Sequence, residues 1–188
     1  MGGQKRVRRL KRRLAHLEIL FPNLAPIGYV PKSDPVPEYN CIAWAAEDTT
    51  RVWQGSNADG YWPEGATEGY AIEALVSAFV VLGYSDCGKN GRVERGYDKV
   101  ALYSTEFGKW THAARQLPDG RWTSKTGGYE DIIHRTPFAL IGKEYGKVWG
   151  FMKRARSAPR PAAPPPIAKR PPSRKEARQA RRERKRST

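Results

Sequence analysis

The chain changes period once, from helix to strand, and that order places it in the α+β class. Three observations carry this. Val7, Leu10, Leu14 and Leu17 recur on one helical face. Ile72, Leu75, Val76, Phe79 and Val80 form a second apolar stripe in a helix expected over 67–82. From Lys99 onward the runs are strand-like, and Pro118-Asp119-Gly120 is a strong hairpin turn between two of them. The expected architecture is N-terminal helices packed on a small antiparallel sheet, followed by a disordered basic tail.

Each element has its own signal. Residues 4–20 read as a basic amphipathic helix, so 1–21 forms a first unit, which Pro22 ends. Five prolines between Pro22 and Pro37 mark an extended connector. A helix then starts at Cys41, with Asn40 as its cap, and is expected to run to about Thr50. Residues 53–65 read as a loop anchored by Trp53 and Trp62. Thr67 caps the next helix and Gly83 ends it. Strands are expected at 99–103, 110–117 and 121–125, with a turn or short helix over 129–136 and an edge strand or chain anchor over 145–152. The α+β domain thus spans 22–152. Residues 153–188 collapse to Pro, Ala, Arg and Lys, the composition of a disordered tail.

Charge follows the same division. The formal charge is +15, with +7 in residues 1–13, −4 in 14–152 and +12 in 153–188. The basic ends, not the domain, are therefore expected to meet nucleic acid or another polyanion. The tail holds no aromatic residue, so phosphate contacts rather than base stacking would dominate. No apolar run reaches membrane-spanning length, and none of signal-peptide type follows the basic start. A cytoplasmic chain with reduced thiols is expected. No phosphate loop, dinucleotide fingerprint or paired metal-ligand spacing is present, so no cofactor is expected.

Chemistry centres on Cys41. A thiol at a helix start faces unpaired backbone N–H groups, which favour thiolate. The chain offers His16, His112 and His134 as bases. His112 lies mid-strand and shares a face with Ala114 and Gln116. Ser124, on the return strand of the same hairpin, reaches the ring in one turn register. Asp131 and His134 follow the hairpin and are able to fold back. Cys41, His112 and Ser124 would then be nucleophile, base and orienter.

The residues Asn40-Cys41-Ile42-Ala43-Trp44, and the run from Thr111-His112 through Pro118-Asp119-Gly120 to Ser124-Lys125, carry a resemblance. It is to an uncharacterised bacterial and phage-associated domain family, similar in layout to papain-like cysteine hydrolases of the NlpC and amidase type. It covers roughly residues 20–152. It implies a papain-like fold and hydrolysis or transfer at an amide or ester through Cys41 and His112, with the third position at Ser124. NlpC-type enzymes place the base at the start of the first strand, where this chain has Asp98 and Lys99. The alternative is a non-catalytic papain-like binding module with basic ends.

Overall fold

The computed structural model describes residues 2–58 and 60–156. Helix α1 spans Gly2–Leu20. After a turn at Phe21, the short helix α2 covers Leu24–Ile27 and strand β1 covers Tyr29–Pro31. These two interrupt the expected extended connector. Pro26 is tolerated in α2 because first-turn N–H groups have no intrahelical acceptor anyway. Pro31 ends a strand on the sheet edge, where no ladder donor is required.

Helix α3, Cys41–Ala45, begins where expected. The Asn40 side chain accepts a hydrogen bond from the Ala43 N–H at 3.1 Å, a true N-cap. It also donates to the Trp53 carbonyl, tying α3 to the aromatic loop. The helix ends earlier than the expected Thr50. Glu47 turns to φ 65°, and its carboxylate pairs with Arg115 of the sheet at 2.9 Å. A tertiary ion pair thus overrides helix propensity there.

Helix α4 covers Ile72–Val81 and starts five residues later than the expected Thr67. The backbone before it is used elsewhere. Trp62 Nε1 donates to Thr67 O at 2.9 Å, Gly69 N to Gly55 O at 2.6 Å, and Trp110 N to Tyr70 O at 3.0 Å. Each group so engaged is unavailable for a helical turn.

Strands β2 (Ser85–Asp86), β3 (Tyr97–Ser104), β4 (Trp110–Gln116), β5 (Trp122–Lys125), β6 (Asp131–His134) and β7 (Lys147–Ala155) complete the chain's elements, with a 3-10 turn at Pro137–Leu140. One antiparallel sheet runs β1-β6-β5-β4-β3-β7-β2. Seven strands replace the small sheet expected. The segment read as a turn or short helix contains β6. The strand read as an edge is β7, which lies between β3 and β2 and takes in Lys153, Arg154 and Ala155. Residues 157–188, most of the expected tail, lie outside the described residues.

Both sheet faces are covered. On one, Ile42, Leu75 and Phe79 from α3 and α4 meet Val100, Leu102, Ala113 and Met152. On the other, Leu17 and Leu24 from α1 and α2 meet Ala101, Tyr103, Ala114, Trp122 and Phe151. Strand alternation assigns neighbours such as Ala113 and Ala114 to opposite cores. The register shift between Tyr103 and Ser104 sends Trp110 to the α4 face, where its ring stacks on Trp62 at 6.0 Å.

Asn40→Ala removes the cap and the link to Trp53 together. A loss of about 1–3 kcal/mol is expected, read from urea unfolding midpoints. A variant as stable as the parent would show that packing alone holds α3.

Candidate functional site

Strands β4 and β5 pair only near their turn, at Arg115↔Thr123 and Gln116↔Trp122. Further along β4, no ladder to β5 forms, and the first turn of α3 occupies the space. There the Cys41 Sγ lies 4.0 Å from the Thr111 carbonyl oxygen. The backbone N–H groups of Ala113, Cys41 and Ile42 also face it. The thiol therefore rests against the backbone on both sides of His112. It is partly exposed and free, as is Cys87 in its loop.

The ring of His112 is fully buried on the α1 face. Tyr145 stacks on it, with centroids 4.1 Å apart and planes 5° off parallel, and Tyr103 meets it edge-on. The Nε2 atom is 3.1 Å from Ser124 Oγ. Ser124 Oγ is in turn 2.9 Å from His134 Nε2, and His134 Nδ1 is 2.7 Å from the Thr136 carbonyl oxygen. His112 and Ser124 are thus brought together, with His134 behind them. No hydrogen bond joins Cys41 to the ring, because His112 Nδ1 has no partner.

The carbonyl at Thr136 fixes the direction of this chain. It only accepts, so His134 Nδ1 carries a proton. Burial lowers the pKa of His134 to about 4, so the ring is neutral near pH 7 and its Nε2 is a bare acceptor. The Ser124 hydroxyl must donate to it. Ser124 Oγ is then left to accept from His112 Nε2–H. Burial also holds His112 well below the ordinary histidine range, with a smaller push from His134. His112 is therefore neutral, with its proton on Nε2 and a lone pair on Nδ1. In a buried site that nitrogen is a base with nothing to accept from.

The thiol is neutral as well. Burial pushes Cys41 up to about 11, against the lowering by the N–H groups of Ala113, Cys41 and Ile42 and by the Lys125 ammonium. Lys125 donates to the carbonyls of Gly127 and Tyr129 at 2.8 and 3.2 Å. Tyr39, two residues before the thiol, stacks on Trp44 at 5.6 Å. Tyr39 donates its hydroxyl to Asp131 at 2.7 Å. His16, by contrast, is exposed and meets the Tyr129 ring at a tilt, outside this chain of bonds.

The sequence names His134 only as a candidate base able to fold back, without its place behind Ser124, and it does not single out Tyr145. His134 had one signal, its position just after a hairpin whose return strand carries Ser124. Tyr145 had none, since it comes from a loop before β7.

Residues 32–153 match the model of a family described as Domain of unknown function (DUF7689), and the chain belongs to that family. No curated protein and no solved structure matches it.

The buried histidine predicts a pH dependence of stability. In the unfolded chain His134 titrates near 6.5, and in the fold at about 4. Between these values the unfolded state binds more protons, so stability falls as pH drops through the window. The contribution of His134 is fully present above pH 6.5 and levels off below about 4. Its size is on the order of 3 kcal/mol. Urea midpoints measured near neutrality and at the bottom of the window check this, and His134→Gln should flatten the curve. An equally steep curve in the variant would assign the effect to other groups.

Proposed function

We propose that this member of the family is a papain-like thiol hydrolase or transferase acting on an amide or ester. One observation carries the reading. The hydrogen-bond chain from Thr136 through His134 and Ser124 leaves His112 Nδ1 as an unpartnered base, beside a strand whose backbone holds the Cys41 thiol.

Cys41 is the nucleophile in this reading. Its sulfur attacks the acyl carbon as His112 Nδ1 takes the thiol proton. Because both groups are neutral at rest, proton transfer accompanies attack rather than preceding it. The developing oxyanion is met by backbone N–H groups of the α3 first turn. The imidazolium then gives its proton to the leaving amine or alcohol. Water, or another acceptor, attacks the thioester and regenerates the thiol. Ser124 accepts from Nε2–H throughout and keeps the ring in the reactive tautomer. To act, the thiol must leave the Thr111 carbonyl and reach Nδ1 on the α1 face, which requires β4 to open from β5.

A second reading is a non-catalytic binding module in which Cys41 and His112 serve the fold alone. The raised thiol, the lowered imidazole and the missing bond between them favour it.

An activated ester separates the two. With a p-nitrophenyl ester at neutral pH, the catalytic reading predicts a burst of p-nitrophenol of one equivalent per chain, lost in Cys41→Ala. His112→Gln, which keeps the side chain polar and similar in length, should slow acylation by about 100-fold or more. Ser124→Ala should cost about tenfold, the equivalent of one net hydrogen bond. A burst unchanged in His112→Gln, or still present in Cys41→Ala, would leave the binding-module reading.

A further inference from the structure

Helix α1 carries more positive charge than its surroundings can use. Residues 1–13 hold seven Lys and Arg and no acid. Two of them are anchors. Arg6 pairs with Asp34 at 3.0 Å, and Arg13 pairs with Asp34 at 3.3 Å and with the buried Glu130 at 2.5 Å. Leu17, fully buried, and the half-buried Leu10 and Leu14 seat the same side of the helix on the body.

Lys5, Arg8, Arg9 and Arg12 are different. Their spacing of i, i+3, i+4 and i+7 places them on one helical face, turned away from Leu17. All four are exposed, and none forms an ion pair with a described residue. The face spans about 10 Å along the axis. It is also electrostatically strained. Lys5 and Arg9, and Arg8 and Arg12, are like charges one turn apart, a destabilising arrangement. The first turn has no acid, so the cations oppose the positive end of the macrodipole. Anions placed along this face would relieve both terms at once.

From this surface we infer that α1 is a docking face for the phosphate backbone of nucleic acid, bound without sequence preference. Charge complementarity names the occupant. The presentation of α1 suits it, because Arg13, paired with the buried Glu130, and the seated Leu17 hold the basic face outward. An anionic membrane fits less well. The apolar side of α1 is spent on the body, and the basic face lacks the apolar stripe that interfacial helices insert. The nearest exposed apolar residues, Val7 and Ile19, are twelve positions apart. Guanidinium groups predominate on the face, which suits bidentate contact with phosphate oxygens.

The test uses the full-length chain and a fluorescent DNA duplex across a series of salt concentrations. The parent is compared with the fourfold variant Lys5→Gln, Arg8→Gln, Arg9→Gln and Arg12→Gln. A control variant carries four Arg→Gln changes in residues 174–182, so that general charge loss is matched. Each phosphate contact contributes about 0.9 to the slope of log affinity against log salt. The helix variant should therefore lose about 3 to 4 of that slope, bind at least tenfold more weakly at low salt, and lose more than the control. Its thermal midpoint should hold or rise, since like-charge strain is removed. If affinity and slope match the parent, or fall no further than in the control, the α1 face is not the contact. Tighter binding of the parent to phosphatidylserine vesicles than to duplex at equal phosphate would overturn the choice of nucleic acid.

Discussion

The incomplete pairing of β4 with β5 is the constraint on which the site depends. Two strands of a tight hairpin ordinarily close their ladder along their whole length. Here the bonds stop at Arg115 and Thr123, near the turn. Beyond that point the Thr111 carbonyl and the Ala113 N–H meet the Cys41 thiol. The same separation lets His112 and Ser124, diagonal across the hairpin, meet through their side chains at 3.1 Å. A fully zipped hairpin would shut α3 out of that space.

Packing on both faces makes this arrangement costly to change. Ala113 belongs to the core under α3 and α4, and Ala114 to the core under α1. His112 and Ser124 sit with the second core, where every polar atom must find a partner or carry a desolvation cost. The chain meets that need at three of its four ring nitrogens and at the serine hydroxyl, ending on the Thr136 carbonyl. The remaining nitrogen, His112 Nδ1, costs about 1–3 kcal/mol to leave bare. In the proposed acyl transfer, that nitrogen is the base that takes the Cys41 proton.

The parts legible in the sequence are those with local causes. Asn40 before Cys41 announced a cap, and the cap is formed. Pro118-Asp119-Gly120 set the hairpin, and with it the approach of Ser124 to His112. What was not legible has long-range causes. The end of α3 is set by Glu47 meeting Arg115, and the start of α4 by backbone bonds to Gly55 and Trp110. Strand β6 is only four residues, Asp-Ile-Ile-His, with three of them buried, so no alternation marks it as a strand. Its place in the sheet comes from pairing on both sides, with β5 and β1. His134 therefore could be placed near the hairpin but not within the chain of bonds. The gap between β4 and β5 had no sequence signal, because the run from Trp110 to Lys125 reads as an ordinary closed hairpin.

The proton position on His112 is the point on which the chemistry turns, and nitrogen-15 NMR of the histidine side chains reads it directly. At neutral pH, His112 Nε2 should resonate as a protonated nitrogen and Nδ1 as one bearing a lone pair, with His134 in the opposite tautomer. In Ser124→Ala the preference at His112 should weaken while His134 keeps its proton on Nδ1. A proton found on His112 Nδ1, or an imidazolium at both nitrogens, would contradict a poised base and leave the thiol without a partner.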